Sequence, residues 1–121
     1  MYELTVESSF SAAHQLRHYQ GECERLHGHN WKVEVSIRSE ELDSLGMVVD
    51  FKELKGLINE ILKELDHHYL NELPAFKEAN PTTENIAEFL YGEIKSAMKK
   101  KGISLQRVKI WENEGSAVSF T

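Results

Sequence analysis

Residues 27–38 read "HGHNWKVEVSIR". Trp31, Val33, Val35 and Ile37 alternate with Lys32, Glu34, Ser36 and Arg38. Successive side chains of a strand point to opposite faces, so this alternation predicts a half-buried strand. Carried backwards, the parity of Trp31 places His29 and His27 on the apolar side. An upstream stretch, "YELTVESSFSAAH" (2–14), behaves alike. Tyr2, Leu4, Val6 and Phe10 share one parity, and Glu3, Thr5 and Glu7 the other. Extended without a bulge, the apolar parity reaches His14.

The chain between and beyond these strands changes period. Asp50 opens a helix, with Glu53 three residues on as in a capping box. Phe51, Leu54, Leu57, Ile58, Ile61, Leu62 and Leu65 recur at helical spacing. "DHHYLNELPAF" (66–76) is an irregular connection. "NPTTEN" (80–85) starts a second helix, capped by Thr82 or Thr83, with Ile86, Phe89, Leu90, Ile94 and Ala97 on its apolar face and Gly102 as its stop. The end, "LQRVKIWENEGSAVSFT" (105–121), reads as two strands joined near Glu114-Gly115, burying Val108, Ile110, Val118 and Phe120. The order β-β-α-α-β-β predicts an α+β fold, a four-stranded antiparallel sheet with both helices on one face, in one domain over residues 1–121. Its open sheet edges invite neighbouring copies to extend it.

Composition excludes several classes. The chain has 121 residues, 40% hydrophobic and 28% charged, which suits one globular domain. A net charge of −6 disfavours binding to a nucleic-acid backbone. The basic run Lys99–Lys101 lies beside Gly102, where a helix end favours positive charge. No apolar run approaches the roughly 18–20 residues that span a bilayer. "MYELTVESS" carries acids where a secretion signal is basic, so the expected location is the cytoplasm. A single cysteine, Cys23, excludes an intrachain disulfide.

Three histidines on the apolar face of two paired strands need partners. Neutral imidazoles packed together are costly unless each is satisfied. One divalent ion satisfies all three, and zinc accepts three imidazoles with a fourth position open. His14, His27 and His29 are the expected metal ligands. Cys23, four residues before His27, is either the fourth ligand of a closed structural site or a thiolate beside the metal. Glu112 shares parity with Val108 and Ile110. It either forms an ion pair or grips two parallel N–H donors, such as an aminopyrimidinone edge offers. Asp66-His67-His68 either ends a helix or supplies an acid/base histidine oriented by a carboxylate. His18 reads as a surface residue.

"FSAAHQL", "CERLHGHN", "VVDFKELK", "LDHHYLN", "NPTTENIAEFLY" and the late strand glutamate together resemble the 6-pyruvoyltetrahydropterin synthase family. The match is closest to its bacterial branch, the 6-carboxytetrahydropterin synthases of queuosine biosynthesis, and spans nearly the whole chain. The resemblance implies the tunnelling fold, with three subunits closing a twelve-stranded barrel and two trimers stacking into a hexamer. It implies zinc on His14, His27 and His29. It implies Cys23 as catalytic thiol, with Asp66 and His67 as acid/base partners from a neighbouring subunit. Glu112 would anchor the pterin ring, with Thr83 and Glu84 beside it. The implied reaction converts 7,8-dihydroneopterin triphosphate to 6-carboxy-5,6,7,8-tetrahydropterin, acetaldehyde and triphosphate. Arg17, His18, Arg25 and Lys52 are candidate cations for the triphosphate. One rival is pyruvoyl-type elimination of triphosphate alone. Another is a non-catalytic zinc-stabilised pterin- or purine-binding module closed by Cys23.

Overall fold

The computed structural model describes residues 1–21 and 24–121. Strand β1 spans Tyr2–His14 and β2 spans His27–Ser39. Helix α1 is Phe51–Leu62, the two-residue strand β3 is His68–Tyr69, and helix α2 is Thr83–Lys99. Strands β4 (Ser104–Asn113) and β5 (Ser116–Phe120) close the chain. The sheet order is β3-β1-β2-β4-β5, and every pairing is antiparallel except β3 with β1. The five strands correct the expected four. The extra one is too short to carry a periodic signal; it forms because the chain leaving α1 is pulled onto the edge of β1. There the His67 N–H donates to the Ser11 carbonyl (2.6 Å) and Ser11 N–H donates to Asp66 Oδ1 (2.8 Å).

The predicted parities hold through the middle of β1 and β2, but Tyr2 is exposed, and Ser36, on the polar parity, is buried beside a register shift at Ser36/Ile37. Val6, Phe10, Ala12 and His14 are buried from β1, and Trp31, Val33, Val35 and Ile37 from β2. Both helices cover this one face. α1 lies against β1, and α2 against β4 and β5. Leu54, Ile58 and Leu62 face inward from α1, and Ile86, Ala87, Leu90, Ile94 and Met98 from α2. Leu65, beyond the last turn of α1, is also buried. Phe51 is an exception to the expected apolar stripe: it is 58% exposed at the helix start.

The caps explain where the helices begin. Asp50 accepts the Lys52 N–H (2.7 Å), but the expected reciprocal bond is not made, because Glu53 pairs with Lys101 (2.9 Å). Thr82, not Thr83, caps α2 by accepting the Asn85 N–H at 3.1 Å. Gly102 takes φ +71°, a left-handed value that ends the α2 segment.

One irregularity matters for the site. The β4–β5 ladder passes from Trp111↔Ala117 to Asn113↔Ser116, so β4 carries one residue more than β5 and Glu112 has no partner. A bulge of this kind re-aims the side chain it carries.

Ile94 is fully buried between α2 and the sheet. Ile94→Ala is expected to lower stability by about 2–5 kcal/mol, through lost transfer energy and a residual cavity. Equilibrium denaturation at fixed protein concentration measures it, and a loss under about 0.5 kcal/mol would contradict this packing.

Candidate active site

β1 and β2 are paired so that His14 lies directly opposite His27, while His29 lies opposite Ala12. The three rings meet edge to face, with centroids 4.5 Å (14–27), 5.2 Å (14–29) and 4.7 Å (27–29) apart. Trp31, fully buried, forms their floor, 5.1 Å from His14 and 5.2 Å from His29. Phe10 stacks on Trp31 from further along the face at 5.8 Å.

Backbone carbonyls orient two of the rings. His14 Nδ1 lies 2.8 Å from the Pro81 carbonyl, and His27 Nδ1 lies 2.8 Å from the Arg25 carbonyl. A carbonyl only accepts, so each Nδ1 carries the proton and each Nε2 keeps its lone pair. Those Nε2 atoms stand 2.9 Å apart. His29 Nε2 is buried and has no hydrogen-bond partner among the described residues. Burial holds the His29 pKa below its ordinary value; His14 and His27 push the same way, and Glu112 opposes them in part. The net effect at His29 favours neutral imidazole, the form a metal ligand needs.

Glu112 completes the cluster. Its Oε1 stands 3.2 Å from His29 Nε2 and 3.6 Å from His14 Nε2. One ligand atom from each of His14, His27, His29 and Glu112 lies within 4.8 Å of the others, so the group could hold a metal ion. Lone pairs converging on one point beside a carboxylate are repulsive without a cation, and the residues fit one. The inclusion of Glu112 in this donor set was not foreseen from sequence, where parity alone gave its direction but not its reach.

Glu112 also borders a second feature. With Thr83, Glu84, Ser116, Ala117 and Val118 it lines a cavity of about 140 Å³. The three residues expected around a ligand ring are thus brought together from α2 and β4. On the helix-free side, a groove of about 680 Å³ runs over His29, Lys32, Trp111 and Glu112. A hollow of about 500 Å³ beside it is lined by Ser11, His29, His67 and Tyr69, so His67 shares a cavity with one candidate ligand.

Asp66 and His67 form the expected pair. Asp66 Oδ2 lies 3.0 Å from His67 Nδ1. The Ser11 N–H, and then the bonds from His67, hold the Asp66 carboxyl below its ordinary pKa, against the effect of desolvation. His67 has φ +59° and an 81% exposed side chain, so the strained backbone presents its ring outward. His68 turns back to its own segment, with Nδ1 2.8 Å from the Asp66 carbonyl. Cys23 lies outside the described residues.

The candidate cations separate. Arg17 donates to the carbonyls of Asn71 (3.1 Å), Phe76 (2.7 Å) and Ala79 (3.5 Å), so its guanidinium clasps a loop. Lys52 sits in the first turn of α1, whereas Asn59, near the helix's other end, meets Ser8, and Asp66, beyond that end, meets Ser11. Lys52 is therefore at the end away from His14. His18 is exposed, as expected.

Fold and site together define a family of enzymes. Residues 3–121 match the family described as 6-pyruvoyl tetrahydropterin synthase, and the chain belongs to it. A protein of Archaeoglobus fulgidus named putative 6-carboxy-5,6,7,8-tetrahydropterin synthase is 40% identical over 90% of this chain and 86% of its own. One from Synechocystis, named 6-carboxy-5,6,7,8-tetrahydropterin synthase, is 39% identical over 99% and 93%. A Pyrococcus furiosus relative, 38% identical over 97% and 95%, is named dihydroneopterin monophosphate aldolase. The solved 6-pyruvoyl tetrahydropterin synthase of Caenorhabditis elegans superimposes with a TM-score of 0.83 at 29% identity, covering 100% of this chain and 96% of that one. The chain is a lyase of this family. No helix is long and apolar enough to cross a membrane among the described residues.

If the imidazoles form the donor set, His27→Ala lowers metal affinity by more than about 100-fold, and metal analysis after dialysis finds the variant nearly empty. A wild-type metal content in that variant removes His27 from the set.

Proposed function

We propose that this protein is a zinc-dependent carbon–carbon lyase of the 6-carboxytetrahydropterin synthase type. It takes 7,8-dihydroneopterin triphosphate and one water to 6-carboxy-5,6,7,8-tetrahydropterin, acetaldehyde and triphosphate, a step toward queuosine. The observation that carries the reading is the convergence of three imidazoles beside Glu112, which also borders the cavity of Thr83 and Glu84. The two relatives at 39–40% identity that carry this enzyme's name support it.

Zinc, when bound, supplies Lewis-acid polarisation of substrate oxygens. His14, His27 and His29 would hold it, the first two kept in one tautomer by the carbonyls that face them. Glu112, with Thr83 and Glu84, orients the ring by accepting its N–H donors. The Cys23 thiolate removes the side-chain proton next to the ring. His67, its Nδ1 tied to Asp66, moves protons through Nε2.

The cavity beside Glu112 is about 140 Å³. Small-molecule sites usually enclose about 300–1,000 Å³. The cavity that Glu112 shares with Thr83 and Glu84 is thus too small by itself for a pterin ligand, and the His67 side chain is 81% exposed. Both support a homo-oligomer, a hexamer of two trimers, in which neighbours complete each site. The domain over residues 1–121 acts as one such subunit in the cytoplasm.

The Pyrococcus relative favours a second reading, aldol-type cleavage of a dihydroneopterin phosphate. The products separate the two. Carboxy-type chemistry releases acetaldehyde and triphosphate, whereas an aldolase leaves the phosphate on the two-carbon fragment. Mass analysis after incubating zinc-loaded protein with dihydroneopterin triphosphate should find acetaldehyde; its absence beside a two-carbon phosphate assigns the aldolase.

Two variants test the roles. Cys23→Ala should retain zinc and lose turnover by at least about 100-fold; substantial residual activity shows the base to be another group. Glu112→Gln should keep zinc while pterin binding, followed by ligand fluorescence, weakens by about tenfold or more. Loss of zinc would instead make Glu112 a metal ligand.

A further inference from the structure

Two asparagine side chains continue the pairing of β1 past its last residue. Asn71 accepts the Gln15 N–H (2.9 Å) and donates to the Gln15 carbonyl (2.6 Å). Asn80 accepts the Arg17 N–H (2.8 Å) and donates to the Arg17 carbonyl (3.0 Å). A primary amide has one accepting and one donating end, so each side chain does for one residue what a neighbouring strand would do. The chain leaving His14 is thereby fixed to two residues remote from it in sequence.

Asn80 directly precedes Pro81, whose carbonyl lies 2.8 Å from the buried His14 Nδ1. Only Gln15 and Leu16 separate His14 from Arg17. The contacts therefore close a small ring, from His14 to Pro81, through Asn80 to Arg17, and back along the chain to His14. The backbone of Asn80 is engaged on the other side. Its carbonyl accepts the Thr82 N–H (2.8 Å) and Asn85 Nδ2 (2.8 Å), which ties it to the start of α2. The residues before it, Lys77, Glu78 and Ala79, are exposed and lie outside any helix or strand. The Arg17 guanidinium reaches the Ala79 carbonyl only at 3.5 Å. The Asn80 amide is thus the close link between Pro81 and the residues that follow His14.

We infer that Asn80 is a positioning residue for the metal site: its paired hydrogen bonds to Arg17 hold the Pro81 carbonyl against His14 Nδ1, which keeps the Nε2 lone pair aimed at the other donors. The inference rests on the metal-binding reading given above. An imidazole whose Nδ1 partner has moved away is free to turn, or to carry its proton on Nε2, and either change removes the lone pair from the metal's place. Asn80 is absent from the donor set itself, so it acts only through His14.

The test starts from metal-free protein at about pH 8, where imidazoles are neutral. Heteronuclear NMR of the ring nitrogens reads which one bears the proton, and His14→Ala identifies the His14 signals. Wild type should show His14 in the Nδ1–H form. Asn80→Ala and the milder Asn80→Ser should show a mixture of both forms. Zinc affinity, measured by competition with a chromophoric chelator, should fall by about 10- to 100-fold in Asn80→Ala. Ile94→Ala, which loosens the fold away from this link, should bind zinc within about twofold of wild type and keep the Nδ1–H form. An unchanged His14 tautomer in both Asn80 variants overturns the proposal. An equal loss of zinc affinity in Ile94→Ala also overturns it, since the effect would then be one of stability alone. If wild-type protein does not bind zinc, the metal reading fails, and the tautomer still judges Asn80.

Discussion

Three imidazole lone pairs aimed at one point are the least self-sufficient arrangement in this molecule. Neutral rings with Nε2 atoms 2.9 Å apart repel unless something positive lies between them. The surrounding structure holds them there regardless. The antiparallel register sets His14 opposite His27, Trp31 supports the rings from below, and the carbonyls of Pro81 and Arg25 hold two of them in one tautomer. Pro81 belongs to the approach to α2, so the helix layer and the sheet both hold the cluster. A divalent ion is the partner that satisfies such a cluster, and the donor atoms of His14, His27, His29 and Glu112 stand close enough together to hold one.

Departures from regular structure place the other candidate side chains. Glu112 is unmatched in its ladder, and that extra residue lets a strand carboxylate reach both the histidines and the cavity of Thr83 and Glu84. The left-handed turn at His67 presents an imidazole outward while Asp66 is fixed to β1. The fifth strand follows from the same anchoring. In each case backbone hydrogen bonds, not side-chain packing, choose the direction of a reactive group.

Much of this was legible in the chain. The alternation through Tyr2–Phe10 and Trp31–Ile37 placed His14, His27 and His29 on one face, because strand parity is a local rule that needs only neighbouring residues. Helical spacing located α1 and α2 for the same reason, although Phe51 shows that an apolar residue at a helix start can point outward. The motif resemblance then named a family that the match over residues 3–121 bears out.

What parity could not carry is distance between segments far apart in sequence. Arg17, one of four candidate cations for the triphosphate, has its guanidinium among three carbonyls of residues 71–79. The reach of Glu112 to His29, the lock on His14 from Pro81, and the bridge of Gln15 from Tyr69 to Glu24 are likewise meetings of remote segments. Residue order set which face each side chain of a strand would take, since that follows from backbone stereochemistry alone. Which groups then touch was settled by packing the helices on the sheet, because hydrogen bonds and charges act over a few ångströms and chain order does not measure that separation.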